Sequence, residues 1–210
     1  FGEKVNNEYV ASHLRGKKGT KVTLGIKRGK NDELIDYEVV RDKIPLNSID
    51  AAFMLDKNVG YIKLDRFAQT SNTEFEESLA KLKAQKMKSL ILDLRGNTGG
   101  YLNIAAELSN QFLKKDMTIV YTEGDKSPKQ IFNTDKNGKF TDGKLIILID
   151  EGSASASEIV SGAVQDWDRG ILIGRRSFGK GLVQRPFNLP DGSQVRLTTA
   201  RYYTPTGRCI

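Results

Sequence analysis

A single histidine, His13, and a single cysteine, Cys209, stand in 210 residues, so the chain is short of the side chains from which most metal centres are built. One cysteine excludes an internal disulfide framework and any multi-cysteine zinc site. One histidine excludes a multi-histidine metal site. A Ser-His-Asp or Cys-His arrangement would have to use His13, which lies in a helical, lysine-bearing stretch near the start. If the chain is a hydrolase, it is expected to work without a histidine base. Long apolar runs are also missing: stretches such as Leu145-Ile146-Ile147-Leu148-Ile149 fall far short of the roughly 20 residues that cross a bilayer. The first residue is Phe1 rather than Met, and no basic segment followed by an apolar one comes after it, which reads as a chain processed or trimmed at its start.

What is present supports a sizeable core. With 38% hydrophobic and 28% charged residues, the composition is too balanced for a disordered chain, and the length suits about one to one and a half domains. Lys+Arg number 33 against 26 Asp+Glu, a formal net charge of +7, which raises nucleic acid or an anionic membrane as partners. The cations are scattered through Arg15-Gly16-Lys17-Lys18, Lys27-Arg28-Gly29-Lys30 and the stretch from Lys81 to Lys88, with acids between several of them. That is the pattern of a solvated surface, not of a nucleic-acid footprint.

Along the chain, Asn6 to Leu14 reads as a short helix ended by Gly16 and Gly19. Lys21 to Ile26 and Leu34 to Val40 alternate with period two around the polar turn Lys30-Asn31-Asp32-Glu33, giving a hairpin too small to stand alone. From about Ile44 the character changes. Val59 to Leu64 is strand-like, and Asn72 to Gln85 carries Phe75, Leu79 and Leu82 at helical spacing behind a Thr73-x-x-Glu76 capping box. Ser89 to Leu94, Thr118 to Tyr121, Lys144 to Asp150 and Ile171 to Gly174 read as strands, with helices over Asn103 to Leu113 and from Ala156 to Trp167. Buried strands alternating with amphipathic helices predict an α/β domain with a largely parallel sheet. Lys180 to Tyr203 is β-rich around a Pro190-Asp191-Gly192 turn.

Three segments could carry chemistry. Asp93-Leu94-Arg95-Gly96-Asn97-Thr98-Gly99-Gly100 leaves a buried strand. Its paired glycines either expose backbone N–H groups to an anion or a developing oxyanion, or merely let the following helix pack on the sheet. Gly152-Ser153-Ala154-Ser155-Ala156-Ser157-Glu158 starts a helix at the end of another strand. A serine there either projects as a nucleophile beyond the carboxyl end of the sheet or caps the helix, Ser155-x-x-Glu158 being a capping box. Gly174-Arg175-Arg176-Ser177-Phe178-Gly179-Lys180-Gly181 nearly matches a phosphate-binding loop, but Gly181 supplies no hydroxyl for Mg²⁺ and no helix comes after it, so nucleotide binding is rejected. Its lysine, flanked by glycines, is either a solvated loop residue or a general base, since a desolvated ammonium gives up its proton more readily. Without a usable imidazole, a serine hydrolase needs another base, for which a serine–lysine pair is the known alternative, and Gln184 could orient the amine.

In this order these segments, together with Phe178-Gly179-Lys180-Gly181-x-Val183-Gln184 and Tyr203-Thr204-Pro205-Thr206-Gly207-Arg208, resemble the marks of the carboxyl-terminal processing proteases, a serine–lysine peptidase family also called tail-specific proteases. The resemblance covers nearly the whole chain. It implies a crotonase-like α/β protease core over 44–210, β-rich towards its end and truncated there relative to the family. It implies that 1–43 is the latter part of a PDZ domain, whose carboxylate-binding loop would precede Phe1. The family nucleophile is the middle serine of Ser-Ala-Ser-Ala-Ser, 25 positions before the lysine, which from Lys180 selects Ser155. Lys180 is then the general base, Gln184 holds it, and the oxyanion hole is the backbone N–H of Ala156 with a glycine of the Gly99-Gly100 pair, Gly99 being the one expected. The implied reaction is hydrolysis of protein or peptide substrates near their C-termini through an acyl-enzyme, without metal or cofactor. The resemblance also implies a bacterial periplasmic or cell-envelope setting, with which a cysteine-poor chain is compatible. It further implies membrane association through a segment ahead of Phe1, homo-oligomers and no nucleic-acid partner. The alternative is a non-catalytic peptide-binding or scaffolding protein that keeps the fold, favoured by the PDZ-like remnant and by the capping role open to Ser155.

Overall fold

The computed structural model describes residues 6–29, 33–42 and 47–210, and the chain divides into two units, Phe1–Leu46 and Asn47–Ile210. In the first, Asn6 caps α1 (Asn7–Leu14) by accepting from Tyr9 N–H at 2.8 Å. β1 (Lys21–Lys27) and β2 (Leu34–Val40) pair antiparallel, with Ile26 opposite Ile35. The Arg41 guanidinium ties helix to hairpin: Nε donates to Leu14 O at 2.7 Å, and Nη1 to Thr20 Oγ1 and Lys21 O at 3.0 Å each. It thereby satisfies a carbonyl that the end of a helix leaves without a partner. Most of the expected Lys30-Asn31-Asp32-Glu33 turn, and the change of character near Ile44, lie outside the described residues. His13 is exposed on α1 and belongs to this unit, whereas every other candidate residue belongs to the second.

The second unit is a mixed α/β fold. Its five-stranded sheet has the order β3 (Ile49–Met54), β4 (Val59–Leu64), β5 (Ser89–Asp93), β8 (Lys144–Ile149), β9 (Ile171–Gly174). Only the β3–β4 pair is antiparallel; β4–β5, β5–β8 and β8–β9 are parallel. A four-stranded antiparallel sheet has the order β10 (Leu182–Asn188), β11 (Gln194–Tyr203), β6 (Thr118–Gly124), β7 (Ser127–Asn133). Of the helices, α2 (Ser71–Ala84) packs on β3 and β4, α3 (Leu102–Asn110) lies against α2 and α4, and α4 (Ala156–Asp166) touches both β9 and β6. The core is aliphatic and phenylalanine-rich: Ile62, Leu64, Leu79, Leu90, Leu92 and Leu108 are fully buried, and Phe75 meets Phe112 edge to face at 5.6 Å. Each such side chain contributes about 1.5–3 kcal/mol by leaving water.

Some local expectations need correction. α2 begins at Ser71, not behind Thr73: Thr70 Oγ1 donates to Glu74 Oε1 at 2.6 Å, while Glu74 Oε2 accepts from Ser48 and Ile49 N–H at 2.7 and 3.1 Å. Glu76, expected in the capping box, instead accepts from Gln111 Nε2 and Lys139 Nζ at 2.7 Å each. α3 stops at Asn110 rather than Leu113, and β3 and β7 are strands that the sequence pattern does not predict.

Candidate active site

The three segments singled out in the sequence leave the carboxyl ends of three successive strands, β5, β8 and β9, where loops of parallel sheets converge to form sites. The first is anchored at its start by Asp93, which is 1% exposed. Its carboxylate accepts from Tyr61 Oη at 2.7 Å, from Arg95 N–H at 2.9 Å and from Arg95 Nη2 at 2.6 Å. Burial alone would raise the Asp93 pKa, but the hydrogen bonds from Arg95 and Tyr61 outweigh it and hold the carboxyl at about 2. Burial and the same carboxylate push Tyr61 up to about 12.

Asn97, fully buried, is the hub of the next turn. Its Nδ2 donates to Leu64 O at 2.8 Å, its Oδ1 accepts from Gly99 N–H at 2.9 Å, and its carbonyl accepts from Ala154 N–H at 3.0 Å and Ser157 Oγ at 2.9 Å. One residue thus fixes the glycine turn against the serine loop. Gly99 has φ +100°, and a Cβ placed on it would lie 2.9 Å from Ser155 Cβ and 3.0 Å from Ala156 N, so only glycine fits. The expectation that Gly99 N–H serves an oxyanion meets this hydrogen bond to Asn97. Gly100 N–H and Ala156 N–H have no acceptor among the described residues.

The three serines of the second segment differ in what their hydroxyls do. Ser153 is fully buried and donates to Leu94 O at 2.8 Å while accepting from Asp150 N–H at 3.0 Å. Ser157 is also fully buried, its hydroxyl bound to Asn97 O. Ser155 alone is partly exposed, and it holds φ 56° and ψ −108°, a conformation that only strong local constraint imposes on a residue with a side chain. Asp150 supports the loop by accepting from Gly96 and Gly152 N–H at 2.8 and 2.9 Å. Its carboxyl is held below the ordinary range, first by the Gly96 hydrogen bond and then, against burial, by that of Gly152.

Glu158 supplies the constraint on Ser155 and connects the third segment. Only 5% exposed on the first turn of α4, its carboxylate accepts three backbone N–H groups: Ser155 at 2.7 Å and Lys180 at 2.9 Å on Oε2, and Gly179 at 2.6 Å on Oε1. The backbone nitrogens of Ser155 and Lys180 therefore lie within two hydrogen-bond lengths of each other. Phe178 N–H adds a bond to Ser153 O at 3.0 Å. Spacing in the sequence marks Glu158 only as a helix cap; its reach across to the lysine loop is a tertiary contact with no local signature. The side chain of Lys180 is exposed, and among the described residues no hydrogen bond joins its Nζ to Ser155 Oγ or to Gln184. Gln184 is exposed on β10, opposite Thr198 across a β-bulge that leaves Thr199 unpaired. The structure thus brings together Ser155, Ala156, Gly99 and the Lys180 backbone, and among the described residues no hydrogen bond ties the amine of Lys180 or Gln184 to them. No group of three or more His, Cys, Asp or Glu side chains suited to a metal is found among the described residues.

Comparison with known proteins places this geometry in context. Residues 58–210 match the profile of "Peptidase family S41". The chain is 40% identical over 201 residues to a carboxyl-terminal-processing protease of Picosynechococcus, covering 94% of this chain and 48% of that protein. It is 38% identical over 204 residues to the carboxy-terminal processing protease CtpA of Bacillus subtilis, covering 97% and 43%. Among solved structures it resembles a photosystem II D1 C-terminal processing protease with a TM-score of 0.71 at 28% identity, covering 97% of this chain and 56% of that one. The chain spans about half the length of the curated relatives it matches.

Proposed function

Because the chain belongs to peptidase family S41, and to its carboxyl-terminal processing proteases, we propose that it is a serine endopeptidase that cleaves protein or peptide substrates near their C-termini. Its nucleophile is Ser155 and its general base Lys180. The observation that carries this reading is the Glu158 carboxylate, which takes the N–H of Ser155 and the N–H of Lys180 on one oxygen and so sets the lysine loop beside the serine. In the reaction, neutral Lys180 accepts the Ser155 proton as Oγ attacks the scissile carbonyl. Ala156 N–H at the start of α4 and a glycine N–H of the Gly99-Gly100 turn stabilise the oxyanion, and Gly100 is the donor left unoccupied. The lysinium then returns its proton to the leaving amine, and water, deprotonated by the same amine, releases the acyl group. Gln184 orients Lys180 once the amine turns in. No metal or cofactor takes part. We read 44–210 as a crotonase-like core and 1–43 as the latter part of a PDZ domain, acting in the cell envelope.

The test is cleavage of an unfolded protein with an apolar C-terminus, with products followed by mass spectrometry. Ser155→Ala and Lys180→Ala are each expected to abolish cleavage with circular dichroism unchanged. Activity surviving either change would remove the dyad. Binding without cleavage by the unsubstituted chain would favour a non-catalytic peptide binder, the reading that the lack of a hydrogen bond between the Lys180 amine and Ser155 among the described residues supports.

A further inference from the structure

Beyond the Ser155 loop, the strands after Lys180 carry a second arrangement. β10 flanks β11 from Gln194 to Arg201, but β6 covers the other side of β11 only from Arg201 to Tyr203. Among the described residues no strand pairs with that side from Gln194 to Ala200, so its backbone N–H and C=O groups can pair with an added strand. At this open edge lie two adjoining cavities of about 460 and 450 Å³ that share Lys126, Ser127, Arg185 and Thr199. Phe187 and Leu197 line the first and Lys129 the second. Arg185 pairs with Leu197 and Phe187 with Val195 in the hairpin register, which puts these side chains on one face, with Phe187 and Leu197 about half exposed.

The charges are unbalanced. Among the described residues no ion pair involves Lys126, Lys129 or Arg185, and the only carboxylate lining either cavity is that of Asp125. Lys129 Nζ sits 3.8 Å above the Tyr121 ring. Thr199, the residue left over by the bulge, keeps its hydroxyl oxygen buried with no hydrogen-bond partner. An open strand edge, exposed apolar side chains and unpaired cations at one end are what an extended peptide ending in a carboxylate requires.

We propose that this groove binds the extended C-terminal tail of a polypeptide. The β11 edge takes its backbone, Phe187 and Leu197 take its apolar side chains, and Lys126 and Arg185 take its terminal carboxylate. Binding itself does not depend on the peptidase reading; only the use made of the bound tail does.

The test measures fluorescence anisotropy of a labelled, unstructured peptide with an apolar C-terminal end, prepared both as the free acid and as the C-terminal amide. The protein is the whole chain carrying Ser155→Ala, in which cleavage does not intervene. The free acid is expected to bind at least about tenfold more tightly than the amide, as a charge-assisted contact to a terminal carboxylate would give. Adding Lys126→Gln and Arg185→Gln is expected to erase that preference, and adding Arg185→Lys alone to keep most of it. Equal binding of acid and amide, or a preference that survives Lys126→Gln with Arg185→Gln, overturns the proposal. Since this readout needs no turnover, its failure leaves the cleavage comparison standing, and failure of the cleavage comparison leaves this result standing.

Discussion

Ser155 sits in a conformation that costs a non-glycine residue on the order of 1–3 kcal/mol, and the hydrogen bond from its N–H to Glu158 is what holds it there. Glu158→Gln keeps the shape but replaces one acceptor oxygen with a donor, so at least one of the three N–H groups loses its partner. The expected result is a fall in kcat of about ten- to a hundredfold with KM nearly unchanged, and a stability loss of about 1–3 kcal/mol. A role confined to stability would leave kcat intact well below the melting temperature. Gly99→Ala meets both a positive φ and the Ser155 side chain, and is expected to abolish cleavage; full activity would contradict the packing described. Asp93 makes its contribution through pH. Its folded pKa of about 2 lies below the ordinary 3.8, so the stabilisation is present above about pH 4 and is lost as pH falls towards 2. Because Arg95 is half exposed, that contribution is about 1–2 kcal/mol. Asp93→Asn is expected to destabilise the protein at pH 7 and much less at pH 2.5, as read by chemical denaturation; an equal loss at both would contradict the assignment.

At the scale of elements, the strands and helices with a continuous apolar stripe are legible in the sequence: β4, β5, β8, α2 and α4 lie where periodicity puts them. β7 is not, because it opens with Ser127-Pro128-Lys129-Gln130 and is an edge strand whose residues face water, leaving no alternation to read. β3 escapes notice because Asp50-Ala51-Ala52 dilutes its apolar pattern. In the site, the glycine turn and the serine loop can be read from residue order. The separation of Ser155 from Ser153 and Ser157 by hydrogen bonding cannot, since it depends on Leu94 and Asn97 from another strand's loop. α4 also ends on an acid, Asp166, where the helix dipole disfavours one. Its carboxylate accepts from Thr206 N–H at 2.9 Å and Thr206 Oγ1 at 2.6 Å, and is paired with Arg208. Asp166→Ala is therefore expected to speed amide hydrogen exchange over 204–209 selectively; unchanged exchange there would show the tie to be dispensable.

For the molecule as a whole, the scarcity of histidine and the convergence of three loops at the carboxyl ends of β5, β8 and β9 support the central proposal, that Ser155 is a nucleophile activated by Lys180. The most direct test treats the chain with a peptide phosphonate that acts on activated serines and maps the adduct by peptide mass spectrometry. The account predicts one adduct, on Ser155, with labelling lost in Lys180→Ala. An adduct on Ser153 or Ser157, or labelling of Ser155 undiminished in Lys180→Ala, would contradict it.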